Sequence, residues 1–541
     1  MKTNDNDIRP SLRTSGPDSI AEAVSGGGGG RWFWTAGVWL AIALFYLAAA
    51  RPYFGLNSDA PTYLAGARSL ATGHGYRFTS YPGMPPIGLY PPATSLLFTP
   101  VVWLCQDLDT QAMGCLIVLG IVTLVASGIG VGLLVRLGLP PWLAALGMLA
   151  LATSPHWFLS VVSLGSDVPF TFFVWVACGW WLRHSETLTV RQLLVLGPLL
   201  LAAMLTRSAG LALFIGLIAA ELLLNRDRAR RTVPILVAFL LATSLLRRLI
   251  VPAGAIGYLP IFLRTIEANG GLQFYGSKIV ENALSFLSGI QFHELLWPVL
   301  ARSPQIASRI SGSGGWILST ALLGIWIGVL MLMIVRALHQ RRSRPGAIEV
   351  GTLLLVLGAT VGMLVMLPIA ASHFSRYLLW TFPLVVAALW KSIHDVVPTQ
   401  HHRLVATAAG LVTCVVIASN AWVSFSILQK SIADHGLEEG RAFATEIRPL
   451  VGKDSSIATS GIVPFVHFEE WLGRPVYGQY YGYDLSTTPA GQWSDRAQNC
   501  AFVVIHPDDR LEEFADASGW KVLARSKSGK FTLYRTQAAN R

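Results

Sequence analysis

The sequence predicts a mainly α-helical polytopic membrane protein of about eleven transmembrane helices, followed by a small C-terminal α/β extracytoplasmic domain. Three observations predict it. The 541 residues are 53% hydrophobic and only 13% charged, where soluble domains carry roughly 25% charge. Long apolar runs alternate with short clusters of Lys and Arg. Residues 430–541 then change to a polar pattern of short alternating strands and helices, which argues for an α/β unit with its own core.

Taken in order, residues 1–30 are polar and end in Gly26–Gly30, so they read as a disordered cytoplasmic tail. Residues 31–429 read as one transmembrane domain with outer loops at 51–110 and 251–314. A span needs about 20 mostly apolar residues. The candidates are 32–50, 111–135, 141–160, 168–183, 192–206, 208–224, 232–250, 315–335, 348–368, 377–391 and 404–426. The apolar stretch 93–104 is too short to span and reads as interfacial or re-entrant. Ala48-Ala49-Ala50 resembles a signal-peptidase site, but the polar leader is long and the apolar run exceeds a usual signal-peptide core.

Charge sets the direction. Arg136, Arg183, Arg191, Arg226, Arg228, Arg230, Arg231, Arg336, Arg341, Arg342, Arg344, Lys391 and Arg403 fall in alternate loops. The positive-inside rule makes those loops cytoplasmic. The N-terminus is then inside, and the C-terminal region is periplasmic or extracellular. The net charge of +11 is explained the same way, and nucleic acid is excluded as a partner.

The C-terminal region reads as helix Leu437–Val451, strand Ser455–Ser460, helix Val463–Leu472, strands Arg474–Gly478 and Cys500–Ile505, helix Asp509–Ala517, and strands Trp520–Arg525 and Lys530–Arg535. Cys105, Cys115, Cys178, Cys414 and Cys500 show no metal or disulfide spacing.

Four outward-facing features bear on chemistry. Asp59, with Tyr63 one helical turn on, follows the first span; Asp59 reads as a helix cap before Ala60-Pro61 and as a candidate base. Ser166-Asp167-Val168-Pro169 opens another span on the same side, where Asp167 again reads as a cap or as a site acid. Arg207, Arg247, Arg248, His373, Arg376 and Tyr377 form a third group. Their cations sit at outer membrane ends, against the positive-inside trend, either snorkelling to headgroups or binding phosphate. Tyr81-Pro82-Gly83-Met84-Pro85-Pro86 and Tyr90-Pro91-Pro92 stiffen the loop that carries Asp59.

With these residues in place the chain resembles the GT-C fold glycosyltransferases, in the branch of protein O-mannosyltransferases and lipid A aminoarabinose transferases. The resemblance covers about residues 30–430. It rests on Ser58-Asp59 through Tyr63, Ala67, Leu70, Gly73 and Gly75-Tyr76, on Tyr90-Pro91-Pro92, on Ser166-Asp167 with Pro169, on Leu205-Thr206-Arg207, and on Ser375-Arg376-Tyr377-Leu378. It implies a GT-C-like fold and a sugar donor on a polyprenyl phosphate. It further implies that Asp59 is the base of an inverting displacement and that Arg207 and Arg376 hold the leaving phosphate. Asp167 would position a substrate or help hold a divalent metal. Many members carry two adjacent acids in the first loop, whereas Ser58 and Ala60 flank Asp59 here. That departure leaves the acceptor open among lipid, glycan and protein. The competing expectation is a transporter or flippase of lipid-linked sugars. It fits less well, because the polar groups gather at one membrane face and no internal repeat is evident.

Overall fold

The computed structural model describes residues 28–51, 59–79, 84–184, 188–224, 226–252, 269–287, 397–434, 436–452, 455–460, 497–506 and 511–540, with short pieces between 263 and 267, 379 and 394, and 468 and 478. The helices in chain order are α1 (Gly28–Ala49), α2 (Ala60–Ala71), α3 (Ala93–Leu104), α4 (Leu108–Arg136), α5 (Pro141–Thr153), α6 (Pro155–Val162), α7 (Asp167–His184), α8 (Val190–Thr206), α9 (Gly210–Leu224), α10 (Arg226–Ile250), α11 (Leu272–Leu287), α12 (His402–Asp434), α13 (Leu437–Ile447) and α14 (Leu511–Ala517).

The expected eleven crossings are corrected. Among the described residues, four helices are long and apolar enough to cross a membrane: α1, α4, α10 and the run Thr399–Ile447 that contains α12. The count is five if the bent pair α5–α6 is one span. The reasons are local. The expected span 141–160 breaks by 59° between Thr153 and Pro155. Pro155 has no N–H to donate, and the residue before it, Ser154, is pushed to an extended ψ of 144°. The helix over the expected span 168–183 begins at Asp167 and ends in Arg183 and His184, so its full length is not apolar. α8 and α9 have 17 and 15 residues, short of the roughly 20 that cover the hydrocarbon. The expected spans 315–335 and 348–368 lie outside the described residues, as does most of the loop 251–314.

The break at Ser154 organises the bundle. It leaves the carbonyls of Ala150, Ala152 and Thr153 without a backbone donor in their own helix. Other helices supply them. Tyr46 of α1 donates its hydroxyl to Ala152 O at 2.7 Å. From α12, Asn420 Nδ2 donates to Ala150 O at 2.9 Å and Ser424 Oγ to Thr153 O at 2.8 Å. The polar residues of two apolar helices thereby lock three elements together in a region where water is scarce.

A further buried polar contact ties α7, α9 and α10. Glu221, 1% exposed, accepts from Arg228 Nε at 2.8 Å and Nη2 at 2.7 Å, and from Trp181 Nε1 at 3.1 Å. The sequence treats these spans as nearly free of acids. The signal it offered was an acid seven residues before an Arg, across the α9–α10 turn.

The C-terminal sheet contains β1 (Ile457–Thr459), β2 (Tyr477–Gly478), β3 (Phe502–Ile505), β4 (Lys521–Arg525) and β5 (Thr532–Arg535), each inside a predicted strand. Its order is β2-β1-β3-β5-β4, parallel across β2, β1 and β3 and antiparallel across β3, β5 and β4. Alternation divides its core. Phe502, Val504 and Leu533 join Phe443, Phe468 and Phe531 on one face, while Val503, Ile505 and Tyr534 join Cys500 and Trp520 on the other. Tyr477 also packs against the bundle core, and Arg441 of α13 pairs with Asp109 of α4 at 3.0 Å. The sheet thus sits at the end of the bundle where α4 begins.

Candidate active site

The site is assembled around α2, a short helix that opens directly after Asp59. Pro61 suits its first turn because the missing N–H would have had no partner there. The helix closes at Thr72 and Gly73, where a φ of +77° calls for glycine. Gly66 lets the following loop close tightly on α2, since a Cβ there would meet the Tyr76 ring at 2.5 Å and Ser95 Oγ at 2.8 Å. Tyr76 and Ser95 are fully buried as a result. The chain then turns back by a single antiparallel bridge between Arg77 and Pro86, with Phe78 N donating to Pro85 O at 2.9 Å. The segment that follows Pro86 brings Tyr90 to Asp59.

The capping expectation for Asp59 is corrected. Asp59 occupies the N-cap position, but its φ/ψ of −87° and −35° are already helical, and its side chain makes no cap hydrogen bond. A side-chain cap needs extended backbone at that residue. Its Oδ1 instead accepts from the Tyr90 hydroxyl at 3.2 Å. The carboxylate is only part-buried.

From Asp59 a chain of contacts leads to the second acid. The Tyr90 ring lies edge-on to Tyr63, with centroids 5.6 Å apart. Tyr63 donates to Ser166 Oγ at 2.8 Å and its own carbonyl accepts from Ser95 Oγ at 2.9 Å. Burial first, and the Asp59 carboxylate second, push the Tyr63 phenol above its ordinary pKa, while Arg207 and the Ser166 hydrogen bond pull it back. Tyr63 is therefore a neutral donor held between an anion and a cation.

Ser166 adjoins Asp167, the first residue of α7. The turn before it holds Leu164 at φ +56°, a left-handed backbone that costs a non-glycine of the order of 1 kcal/mol. Asp167 is 2% exposed and forms an ion pair with Arg207, itself 8% exposed. Arg207 ends α8 in extended conformation. The hairpin is tight: a Cβ at Gly210 would meet the Met204 backbone at 2.7 Å.

The remaining expected residues separate. Arg247, half-buried in the last turn of α10, donates to the Gly88 carbonyl in the Tyr90 loop. Arg248 beside it is exposed. His373, Arg376 and Tyr377 lie outside the described residues; the turn Leu379–Thr381 that follows them is docked on α7, where Trp175 Nε1 donates to Trp380 O at 2.7 Å. The sequence presents Tyr90 only as part of a stiff loop, yet it makes the hydrogen bond to Asp59. As to a metal, no cluster of three His, Cys, Asp or Glu occurs among the described residues, and a guanidinium already engages Asp167.

The helical bundle and the sheet that follows it share their overall fold, of the GT-C type, with a solved membrane protein. Among solved structures, ArnT from Cupriavidus metallidurans bound to undecaprenyl phosphate matches 93% of this chain and 97% of its own, at 12% identity and a TM-score of 0.53. The apo form of that protein (15% identity, 93% and 98% covered, TM-score 0.48) and an oligosaccharyltransferase from Archaeoglobus fulgidus (13%, 93% and 74%, TM-score 0.47) align less closely. No protein-family model and no curated protein sequence matches the chain.

Proposed function

We propose that this chain is an integral membrane glycosyltransferase that moves a sugar from a polyprenyl-phosphate donor to an extracytoplasmic acceptor, a lipid, glycan or protein. The observation that carries the proposal is Asp59. Its carboxylate is part-buried, bonded to a tyrosine rather than to its own helix, and linked through Tyr63 and Ser166 to the Asp167–Arg207 pair. The shared fold with a protein bound to undecaprenyl phosphate supports the donor class.

In the proposed reaction Asp59 takes the proton from an acceptor hydroxyl. The acceptor oxygen forms a bond to the anomeric carbon from the face opposite the phosphate. The carbon–oxygen bond to phosphate breaks, and polyprenyl phosphate leaves with the electron pair. Phosphate is a stable anion, so a strong general acid is not required. Tyr90 and Tyr63 fix the orientation of Asp59 and its surroundings. Arg247, Arg207 and Arg376 supply positive charge to the departing phosphate, with Arg248, His373 and Tyr377 as further donor-binding residues. Asp167 keeps Arg207 in place. The site faces the periplasm, and the N-terminus faces the cytoplasm.

The test is Asp59→Asn in a producing cell whose surface glycans are profiled by mass spectrometry. Loss of a general base lowers turnover by about 10²–10⁴-fold, so one glycan modification should vanish. An unchanged profile at normal protein level sinks the base assignment.

A further inference from the structure

The Asp59 cluster occupies the end of the bundle where α1 finishes and α7 starts. A second feature lies at the opposite end. A cavity of about 470 Å3 opens between α1, α4 and α7. Glycines shape it: Gly128 on α4 leaves room for the Trp39 ring, which a Cβ there would meet at 2.9 Å. On α7, Gly179 carries no side chain into the space, and a Cβ would reach ordinary contact with Leu133 at 3.4 Å. At the mouth stand Arg136, in the last turn of α4, and Arg183, in the last turn of α7, both exposed. Arg136 Nη2 lies 3.4 Å from the Leu182 carbonyl, which brings its guanidinium across to α7. Trp32 is at the same mouth and is 70% exposed. Among the described residues that line the cavity there is no carboxylate.

We propose that this cavity binds one anionic phospholipid from the leaflet opposite Asp59. Its phosphate sits against Arg136 and Arg183, and an acyl chain lies along the glycine-lined wall. The chemistry selects this occupant. Two cations with no carboxylate among the described lining residues call for an anion, and guanidinium suits phosphate oxygens. The remaining lining is apolar apart from Thr35 and the Trp indoles, so a soluble anion would leave most of the cavity unused. Basic pockets between helices at a membrane surface, with interfacial Trp, are suited to lipid headgroups. The bound lipid bridges α1 to α4 and α7, the helices whose other ends hold the Asp59 and Asp167 segments. The proposal is independent of the transferase reading.

The test uses the full chain in nanodiscs of mixed phosphatidylglycerol and phosphatidylcholine, with retained lipid measured by native mass spectrometry. The wild type should keep phosphatidylglycerol in preference to phosphatidylcholine. Arg136→Gln with Arg183→Gln should weaken that retention by about 25-fold, from two charges worth about fivefold each. Arg191→Gln, an exposed Arg at the start of α8 that does not line the cavity, should leave it unchanged. Equal retention of both lipids by the wild type, or an equal loss in Arg191→Gln, overturns the proposal. If the double variant does not fold, Gly179→Leu decides. It fills the groove and keeps both charges, so it should lose the lipid, and undiminished retention rejects the site.

Discussion

Asp167 and Arg207 are nearly excluded from solvent, and each makes the other tolerable. Removing one partner of such a pair leaves a buried charge uncompensated and destabilises by about 3–5 kcal/mol, whereas removing both is milder. Asp167→Asn and Arg207→Gln should therefore each lower the thermal unfolding midpoint in detergent, and the double variant should fall short of the sum of the two. Strict additivity would show that the pair is not coupled. The sequence displayed both residues as outward-facing outliers of charge, but it placed them in separate loops. That they meet depends on the α8–α9 hairpin and the turn at Leu164, which no spacing in the sequence relates. Asp59 shows the reverse limit. Its position before Ala60-Pro61 announced a helix start, yet the backbone there is already helical, so its oxygen went to Tyr90, 31 residues away.

At the scale of elements, apolar periodicity located the long helices and strand propensity the five described strands, but α11 lies inside the expected loop 251–314. What it missed was length in space. α5 and α6 are one apolar run in sequence and two helices in the fold, because a single Pro removes a donor and forbids helical backbone before it. Glu221 is the element-scale joint between α9, α10 and α7. Glu221→Ala should destabilise by about 3–5 kcal/mol through the stranded Arg228 charge, and Arg228→Met added to it should recover part of the loss. An exposed-pair effect below about 1 kcal/mol in the single variant would refute the joint. In the sheet, burial pushes the Cys500 thiol up to about 12 from an ordinary value of 9.0. The folded state then holds its proton over a window where the unfolded chain gives it up. Stability of the sheet is full below about pH 9 and declines as pH rises toward 12. Chemical unfolding followed across that window should show the decline, and Cys500→Ala should lessen it.

For the whole molecule, side matters more than contact. Asp59, the Asp167–Arg207 pair, Arg247 and the α/β sheet gather at one end, and Arg136, Arg183 and the basic start of α10 gather at the other. A reporter active only outside the cytoplasm, fused after residue 430, should read as active; a cytoplasmic signal would reverse the proposed orientation of every site residue. By itself the sequence determined that the chain is helical and lives in a membrane. It also determined which ends carry which charge and that an α/β unit follows. Those properties depend on local composition and period, which act residue by residue. Only the tertiary structure decided how many helices are long enough to cross, which tyrosine holds Asp59, and which arginine neutralises Asp167. Those outcomes depend on where a proline breaks a helix and on how closely glycines let segments distant in sequence approach one another.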